Sequence, residues 1–383
     1  MAEYIPKIVR KTSPYLRRPQ ANVTRMMRDV VIALLPVTIF AIYNFGVHAI
    51  YIFIASILSM MVTEYVYYQI IDMINKESFK LKNKSFTLYN YSAFVSGLIF
   101  GLTLADQTPI WVVVVTGALG ILMAKLFFGG LGQNIFNPAA LARVLVAINF
   151  AALSTYGANV VDIDGVSGAT VLSFLQMDGQ TYNVAVNSTH SLWSMFSGIG
   201  LPGSLGEVSA LLIIVGGIYL TLRSSFEVRI PLAYVLTVFG LATAVALYKD
   251  LGMWYPLTHI FSGGVLFGAV FMATDPLTSP ITKPGRIYFG FALGLVTFVI
   301  RLFGALPEGV VFSILIMNMF VPSFDYVKWT TPRFSNKSII IFTLIVIASI
   351  VVVLIGVELA LWLILALVAV IISIVLVGVL YAR

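Results

Sequence analysis

Long apolar runs separated by short polar connections are the feature that most constrains this chain. About 20 helical residues cross the roughly 30 Å hydrocarbon core of a bilayer, and somewhat shorter runs are also found. The first five runs lie near residues 29–48, 50–73, 91–106, 110–128 and 137–153, and five more lie near 208–222, 230–248, 258–274, 286–304 and 308–323. The sequence therefore predicts an all-α polytopic membrane protein with about ten transmembrane helices.

Composition agrees with this fold class. The 383 residues are 60% hydrophobic and 10% charged, which leaves too few polar groups to cover a soluble globule. The last apolar stretch, residues 338–381, is interrupted only around Gly356 and Glu358. We expect a tight hairpin of two spans there, and one long tilted helix is the alternative.

Charged residues predict the orientation of the helices. The first 28 residues are polar and rich in Lys and Arg, so they predict a cytoplasmic amino terminus with no cleavable signal peptide. The connections that then fall inside carry most of the remaining Lys and Arg, as cytoplasmic loops do. The connection at 154–207 has no Lys or Arg and is predicted to lie outside, whereas Lys249 departs from the rule and Arg301 is expected to snorkel from an outer helix end.

The same distribution of charge bears on function. A net charge of +7 could suggest nucleic acid, but the basic residues lie mainly between apolar runs, so no nucleic-acid partner is expected. The chain has no cysteine, which excludes disulfides, catalytic thiols and thiolate-bound iron–sulfur clusters. No metal site is predicted, and any electron chemistry needs an organic cofactor.

The two sets of five runs contain a similar motif. Phe94–Gly101 and Phe261–Gly268 share their Phe and Gly positions, and each is followed by an Asp, at Asp106 and Asp275. The two segments run in opposite directions in the predicted topology, which indicates a 5+5 inverted repeat. The alternative is that small residues recur by chance, since they favour close packing of membrane helices.

The repeat divides the chain into five parts. They are a cytoplasmic segment at 1–28, a first five-helix repeat at 29–153, a non-cytoplasmic loop at 154–207, a second repeat at 208–323, and a cytoplasmic connector with an apolar hairpin at 324–383.

Four polar features could carry chemistry, and each also has an ordinary structural explanation. Thr170 ends a Ser167-Gly168-Ala169-Thr170 run in the outer loop, which alone is typical of a turn or helix cap. Asn137 and the following proline suit the start of a helix, and Arg143 then lies about 9 Å into the membrane, where it must pair, snorkel or face a polar cavity. Asp275 follows a span in a proline-rich turn, and Asn318 needs a partner on another helix.

Several motifs, in order along most of the chain, resemble one family: the D subunit of the Rnf complex and its relative, the B subunit of the sodium-pumping NADH:quinone oxidoreductase. The motifs are Met26-Met-Arg-Asp29, Tyr91-Ser-Ala-Phe-Val-Ser-Gly97, Asn137-Pro138-Ala-Ala-Leu-Ala-Arg143, Ser167-Gly168-Ala169-Thr170, Thr274-Asp275-Pro276 and Pro307-Glu308-Gly-Val-Val. The length of the chain and its Val-Ser-Gly-Ala-Thr sequence are more similar to the Rnf member.

The resemblance implies a covalent flavin. In this family the last threonine of the Ser-Gly-Ala-Thr motif, here Thr170, is joined to FMN through a phosphoester by a separate flavin transferase. The family places this flavin on the outer side of the cell inner membrane. A second, non-covalent flavin, riboflavin, is associated with the paralogue, and its candidate lining residues here are Asn137, Arg143, Asp275 and Asn318.

The resemblance also implies a relay function. The chain would pass electrons to flavin- and iron–sulfur-bearing Rnf subunits in a complex that oxidises ferredoxin, reduces NAD and moves sodium or protons. No Gly-rich dinucleotide motif is present, so NAD is expected to bind elsewhere. The alternatives are the B subunit of the quinone-reducing enzyme, and a channel or secondary transporter without a redox role.

Overall fold

The structure is a computed structural model that describes residues 23–74, 90–154, 192–198, 203–207, 209–304, 308–325 and 336–358. These residues form helices and turns, and no strand occurs among them, which confirms the predicted all-α class. The first half contains α1 (Val23–Phe45), α2 (Val47–Ile74), α3 (Ser92–Leu102), α4 (Ile110–Ile121, continued by a π-helical turn at Leu122–Leu126) and α5 (Pro138–Asn149). After α6 (Leu192–Ser197), the second half contains α7 (Ala210–Leu222), α8 (Arg229–Lys249), α9 (Trp254–Phe261), α10 (Val265–Phe267, continued by a π-helical turn at Gly268–Met272), α11 (Lys283–Phe303), α12 (Val310–Met319) and α13 (Val321–Asp325), and α14 (Asn336–Glu358) follows.

Several of these helices are long and apolar enough to cross a membrane. By length and composition α1, α2, α8 and α11 qualify singly, and α9 with α10 qualifies as a pair that bends by 57°. Among the described residues, α3, α4 with its π-helical turn, α5, α7 and α12 are apolar helices of 10–17 residues, as is the stretch Thr343–Leu354 within α14. The polytopic membrane class is therefore as predicted, although several of the predicted spans are shorter than their apolar runs.

The helices of the two halves have the same neighbours. In the first half α2 packs on α3 and α4, and α4 packs on α5; in the second half α8 packs on α9 and α11, and α11 packs on α12. Helix α1 of the first half also packs against α7 of the second. This repeated arrangement supports the predicted 5+5 repeat.

One end of the bundle, the Asn137 end, contains the starts of α1, α5 and α11. There Arg223 after α7 pairs with Asp29 of α1 at 3.3 Å, and Asn137 Nδ2 donates to the Met272 carbonyl at 3.1 Å. The carboxylate of Asp325 likewise accepts from the backbone amide of Thr282, 2.9 Å away, just before α11.

The opposite end, the Ser154 end, holds the end of α1 and the start of α2. Thr108 Oγ1 and Ser154 Oγ are hydrogen-bonded at 2.9 Å, and His48 Nδ1 lies 2.5 Å from the Asp106 carbonyl. Asn44 Nδ2 donates to the Gly198 carbonyl at 3.2 Å. The described residues that flank the segment carrying Thr170 thus meet at one end of the bundle.

The apolar tail starts as a single helix. α14 packs on α8 and continues as one helix through Gly356 to Glu358. Residues beyond Glu358 lie outside the described residues, and the hairpin stays a prediction.

Candidate cofactor site

A pocket at the Asn137 end lies between the two halves of the bundle. Its walls come from α1, α3 and α5, from the π-helical turns after α4 and α10, and from the segments that follow them. Its apolar lining includes Val95, Ile99, Val270 and Phe271, and its polar lining includes Ser92, Lys125, Asn134, Asn137 and Asp275. We call this site the inter-half pocket.

Lys125 is the cation of this pocket. Its ammonium group lies 2.9 and 3.0 Å from the two carboxylate oxygens of Glu64 on α2, and 3.2 Å from Ser92 Oγ on α3. The side chains of Lys125 and Glu64 are 1% and 0% exposed, so this is a fully buried ion pair. Neither residue was predicted from the sequence, although a charge inside an apolar run is itself a signal of a functional site.

Asn137 joins the two halves beside the pocket. Its side-chain oxygen accepts from the amides of Ala139 and Ala140, with Pro138 at the first helical position, as predicted. Its side-chain nitrogen donates to the Met272 carbonyl of the second half. Asn137 is therefore held from both sides while it lines the pocket.

Asn318 has the partner that the sequence required, but it is not among the residues that line the pocket. When the Asn318 side-chain amide is oriented so that its oxygen and nitrogen both have partners, the oxygen accepts from the Asn137 backbone amide at 3.1 Å. The nitrogen then donates to the Thr278 carbonyl at 3.0 Å. It thus fixes the chain at the start of α5 against the end of α12.

Asp275 lines the pocket and also stabilises a turn. Its carboxylate accepts from the Leu277 amide at 3.3 Å and from the Thr278 hydroxyl at 3.4 Å. Asp275 can therefore stabilise this turn and line the pocket at the same time.

Asn134 contributes an unused acceptor. Its side-chain oxygen is buried and makes no hydrogen bond within the described residues, although it belongs to the polar lining of the pocket. A buried polar atom without a partner is costly, and in native structures it often marks the place of a ligand or water.

Two arginines are buried among the described residues, and neither belongs to the lining of the pocket. Arg143 is 8% exposed and pairs with Glu308 at 3.5 Å, so it neither snorkels nor lines the pocket. Arg301, expected to snorkel, is 2% exposed and donates to the carbonyls of His259 and Ser262 at 2.5 and 3.1 Å. The snorkelling prediction for Arg301 is wrong because the break after α9 offers free carbonyls inside the bundle.

The structure thus brings Asn137 and Asp275 together at one site and places Arg143 and Asn318 outside its lining. Ser167, Gly168, Ala169 and Thr170 lie outside the described residues. No group of His, Asp or Glu suited to a metal ion occurs in the described part of the chain.

A buried ion pair, a bent apolar helix pair and a pocket between two similar halves are features of an integral membrane protein. The chain belongs to the NQR2, RnfD, RnfE family, whose model matches residues 9–335.

Curated relatives cover most of the chain. It is 34% identical over 326 residues to the D subunit of the proton-translocating ferredoxin:NAD(+) oxidoreductase complex of Clostridium ljungdahlii, covering 84% of this chain and 94% of the relative. It is 36% identical over 312 residues to the D subunit of the Na(+)-translocating ferredoxin:NAD(+) oxidoreductase complex of Acetobacterium woodii, covering 81% and 90%. The B subunit of a Na(+)-translocating NADH-quinone reductase of Chromohalobacter salexigens is 35% identical over 247 residues, covering 62% and 58%.

Proposed function

We propose that this chain is the membrane redox subunit of an ion-translocating ferredoxin:NAD oxidoreductase complex, and that it carries FMN covalently on Thr170. The observation that carries the proposal is the Ser167-Gly168-Ala169-Thr170 motif in a chain of this family. Two relatives named as D subunits of ferredoxin-linked complexes align over 94% and 90% of their own lengths, against 58% for the B subunit of the quinone reductase. This difference favours the ferredoxin-linked complex over the quinone-linked one.

The orientation of the chain supports an outer position for Thr170. The segment that carries it has no Lys or Arg, and its described flanks meet at the Ser154 end. Arg223, Lys283 and Arg286 lie at the opposite end, where positive charge favours the cytoplasm. We therefore place the amino terminus in the cytoplasm, Thr170 outside, and the chain in the cell inner membrane.

We further propose that the inter-half pocket holds a second flavin, riboflavin, without a covalent bond. An isoalloxazine ring has two flat apolar faces and a polar edge, and the lining of the pocket combines apolar side chains with polar groups. The unused oxygen of Asn134 fits a ring N–H, and the Asn137 side-chain amide, which gives only one of its two N–H groups to Met272, supplies a donor. Arg143 and Asn318, which lie behind the lining, would hold the walls rather than touch the ring.

The protein's contribution to electron transfer would be position and local charge, since a bound flavin itself supplies the one- or two-electron chemistry. Lys125 lies beside the pocket, but its ammonium group is paired with the Glu64 carboxylate, so the two residues together add no net charge there. The apolar residues around it exclude water and so strengthen that ion pair. The other Rnf subunits, which carry flavins and iron–sulfur clusters, would supply and accept the electrons, and a flavin transferase would modify Thr170.

In-gel fluorescence tests the covalent flavin. The chain, purified from cells that contain the flavin transferase, should fluoresce on a denaturing gel, and Thr170→Ala should abolish that signal because the ester oxygen is gone. Ser173→Ala, which removes another hydroxyl of the same segment, is the control and should leave the band bright. A bright band in the Thr170 variant would move the attachment to another residue.

Acid extraction tests the second flavin separately. The Thr170→Ala chain should still release about one flavin per chain, and Asn134→Leu should lower that amount several-fold. Asn149→Leu is the control, since Asn149 is exposed and bonds only within its own helix. Retention of flavin by Asn134→Leu would exclude the inter-half pocket as the site.

A transporter without a redox role is the second candidate. The 57° bend between α9 and α10, together with the repeated arrangement of neighbours, is also found in secondary transporters. A chain that contains no flavin of either kind but moves ions in vesicles would support this candidate over the redox subunit.

A further inference from the structure

An open groove lies between α8, α11 and α14. It has a volume of about 290 Å³ and shares no lining residue with the inter-half pocket. Its walls include Ala233, Thr237 and Gly240 of α8, Ile287 and Phe291 of α11, and Ile350 of α14. We call this site the α14 groove.

One wall of the α14 groove comes from a part of the chain that follows the family match. The family model ends at residue 335, whereas α14 begins at Asn336. Ile345 and Val353 of α14 are buried, while Val346 and Ile350 line the groove. The groove is therefore formed jointly by the region matched to the family and by the helix after it.

The interior of the groove suits hydrocarbon better than water. Its volume is that of about ten water molecules at roughly 30 Å³ each, and an enclosed water needs two to four polar partners. Thr237 supplies the hydroxyl of the lining, and it already donates to the Ala233 carbonyl at 2.7 Å. A methyl group built on Gly240 would meet no atom within 4 Å, so the space beside it is open.

Positive charge lies at the Asn137 end of the two helices that flank the groove. Glu227, just before α8, pairs with Arg229 of α8 and with Arg286 of α11, the latter at 2.6 Å. One carboxylate is shared by two guanidinium groups, so this cluster carries a net positive charge, and its members are partly exposed. Asp325 lies at the same end, where its carboxylate accepts from the Thr282 amide before α11.

Helical register places two cations next to the groove. Arg229 is four residues before Ala233 on α8, and Lys283 is four residues before Ile287 on α11. Residues four apart share a helix face with their Cβ atoms about 5–6 Å apart, and long basic side chains lie along apolar surface with the charge near water. Lys283 is exposed, and positive charge exceeds negative among the described residues at this end of the groove.

We propose that the α14 groove holds an acyl chain of an anionic phospholipid whose phosphate lies against Arg229 and Lys283. Basic sites between transmembrane helices on the cytoplasmic side bind such headgroups, and the Asn137 end faces the cytoplasm in the orientation proposed above. The lipid fills the space between α14 and the pair of α8 and α11, and so joins the helix after the family match to the bundle. The site needs neither flavin.

Lipid retention by the purified complex tests this site. The complex is stripped of lipid in detergent and incubated with dioleoyl phosphatidylglycerol or dioleoyl phosphatidylcholine, which have the same acyl chains. Native mass spectrometry then counts the lipid that stays on this subunit. We expect one phosphatidylglycerol in the groove, bound about fivefold or more tightly than phosphatidylcholine, because each Lys or Arg near an anionic headgroup contributes about that factor. Equal binding of the two lipids would overturn the proposal.

Two pairs of variants separate the acyl chain from the headgroup. Gly240→Phe fills the groove, leaves every cation in place and should remove this lipid, whereas Leu232→Phe adds the same ring at an exposed position of α8 outside the lining and should retain it. Lys283→Gln should weaken phosphatidylglycerol binding about fivefold, and Lys249→Gln, at the other end of α8, should leave it unchanged.

If Gly240→Phe fails to assemble, Ile350→Phe fills the groove from α14 and should have the same effect. Wild-type lipid retention in the variant with the filled groove would overturn the proposal. Equal weakening by Lys249→Gln and Lys283→Gln would also overturn it, because the headgroup would then respond to charge anywhere on the chain. Lipid binding that appears only when the chain is cut after Glu358 would instead assign the groove to residues 359–383 and exclude the lipid as its occupant.

Discussion

At the scale of single residues, the pair of Glu64 and Lys125 shows how the bundle holds charge in an apolar interior. Both side chains are buried, and the ammonium group contacts both carboxylate oxygens at 2.9 and 3.0 Å. Taking two charges from water is costly, and the attraction between them offsets that cost only with good geometry. The two residues therefore depend on each other.

This dependence predicts an unequal effect of single and double changes. Lys125→Met should destabilise the protein by about 3–5 kcal/mol, because it leaves the Glu64 charge buried without a partner. Glu64→Gln combined with Lys125→Met should recover much of that loss, since no charge remains. Thermal unfolding in detergent measures both.

Lys249→Met is the control for this series because Lys249 is exposed. It should change stability by less than about 0.5 kcal/mol. Equal losses in the Lys125 single variant and the double variant would contradict the interdependence.

Local signals allowed some of the site to be predicted. Asn137 was predicted as a cap because its partners, Ala139 and Ala140, are two and three residues away. Lys125 was missed because Glu64 is 61 residues distant, and no short pattern relates them. Asp275 was recognised from its motif, but only the packed structure shows that it shares a pocket with Asn137.

At the scale of helices, small residues bring α8 and α11 into close contact. A methyl group on Gly290 would lie 2.7 Å from the Ile230 carbonyl oxygen, and one on Gly294 would lie 2.6 Å from Thr237 Cβ. Glycines four residues apart let two helix backbones approach in this way. The contact therefore depends on the absence of side chains at these two positions.

Two alanine substitutions should then have opposite effects. Gly294→Ala should destabilise the protein by about 1–3 kcal/mol, because the new methyl group overlaps Thr237. Gly240→Ala on α8 is the matched control, since nothing lies within 4 Å of a methyl group built there, and it should be neutral or stabilising by up to about 1 kcal/mol. The melting temperatures of the two variants in detergent measure these effects. A Gly294→Ala protein that melts at a higher temperature than the wild type would contradict the prediction that overlap with Thr237 destabilises it.

Hydropathy predicted where the helices lie better than how long they are. The run at 91–106 yields only Ser92–Leu102, because Thr103 and Thr108 form turns that hydrogen-bond locally. The run at 258–274 contains the break between α9 and α10. Apolar turns and apolar helices have similar composition, so this distinction depends on tertiary contacts that hydropathy does not contain.

At the scale of the whole molecule, the two ends of the bundle differ in charge. Arg286 and the pair of Arg223 with the buried Asp29 lie at the Asn137 end. The described Ser154 end is held mainly by hydrogen bonds of neutral groups such as Thr108 and Asn44. The order of the apolar runs and the charges between them were sufficient to predict this division. The pairing of α1 with α7 was not predicted, because it joins residues 194 positions apart.

The orientation can be measured because the chain has no native cysteine to remove. Lys249, at the end of α8, and Lys283, at the start of α11, are both exposed and lie at opposite ends of their helices. Since α8 begins at the Asn137 end, Lys249→Cys should react from outside intact cells with a membrane-impermeant maleimide. Lys283→Cys should react only after the cells are opened. The reverse labelling would place Thr170 in the cytoplasm, and electrons would then have to leave the chain on the opposite side of the membrane from the one proposed here.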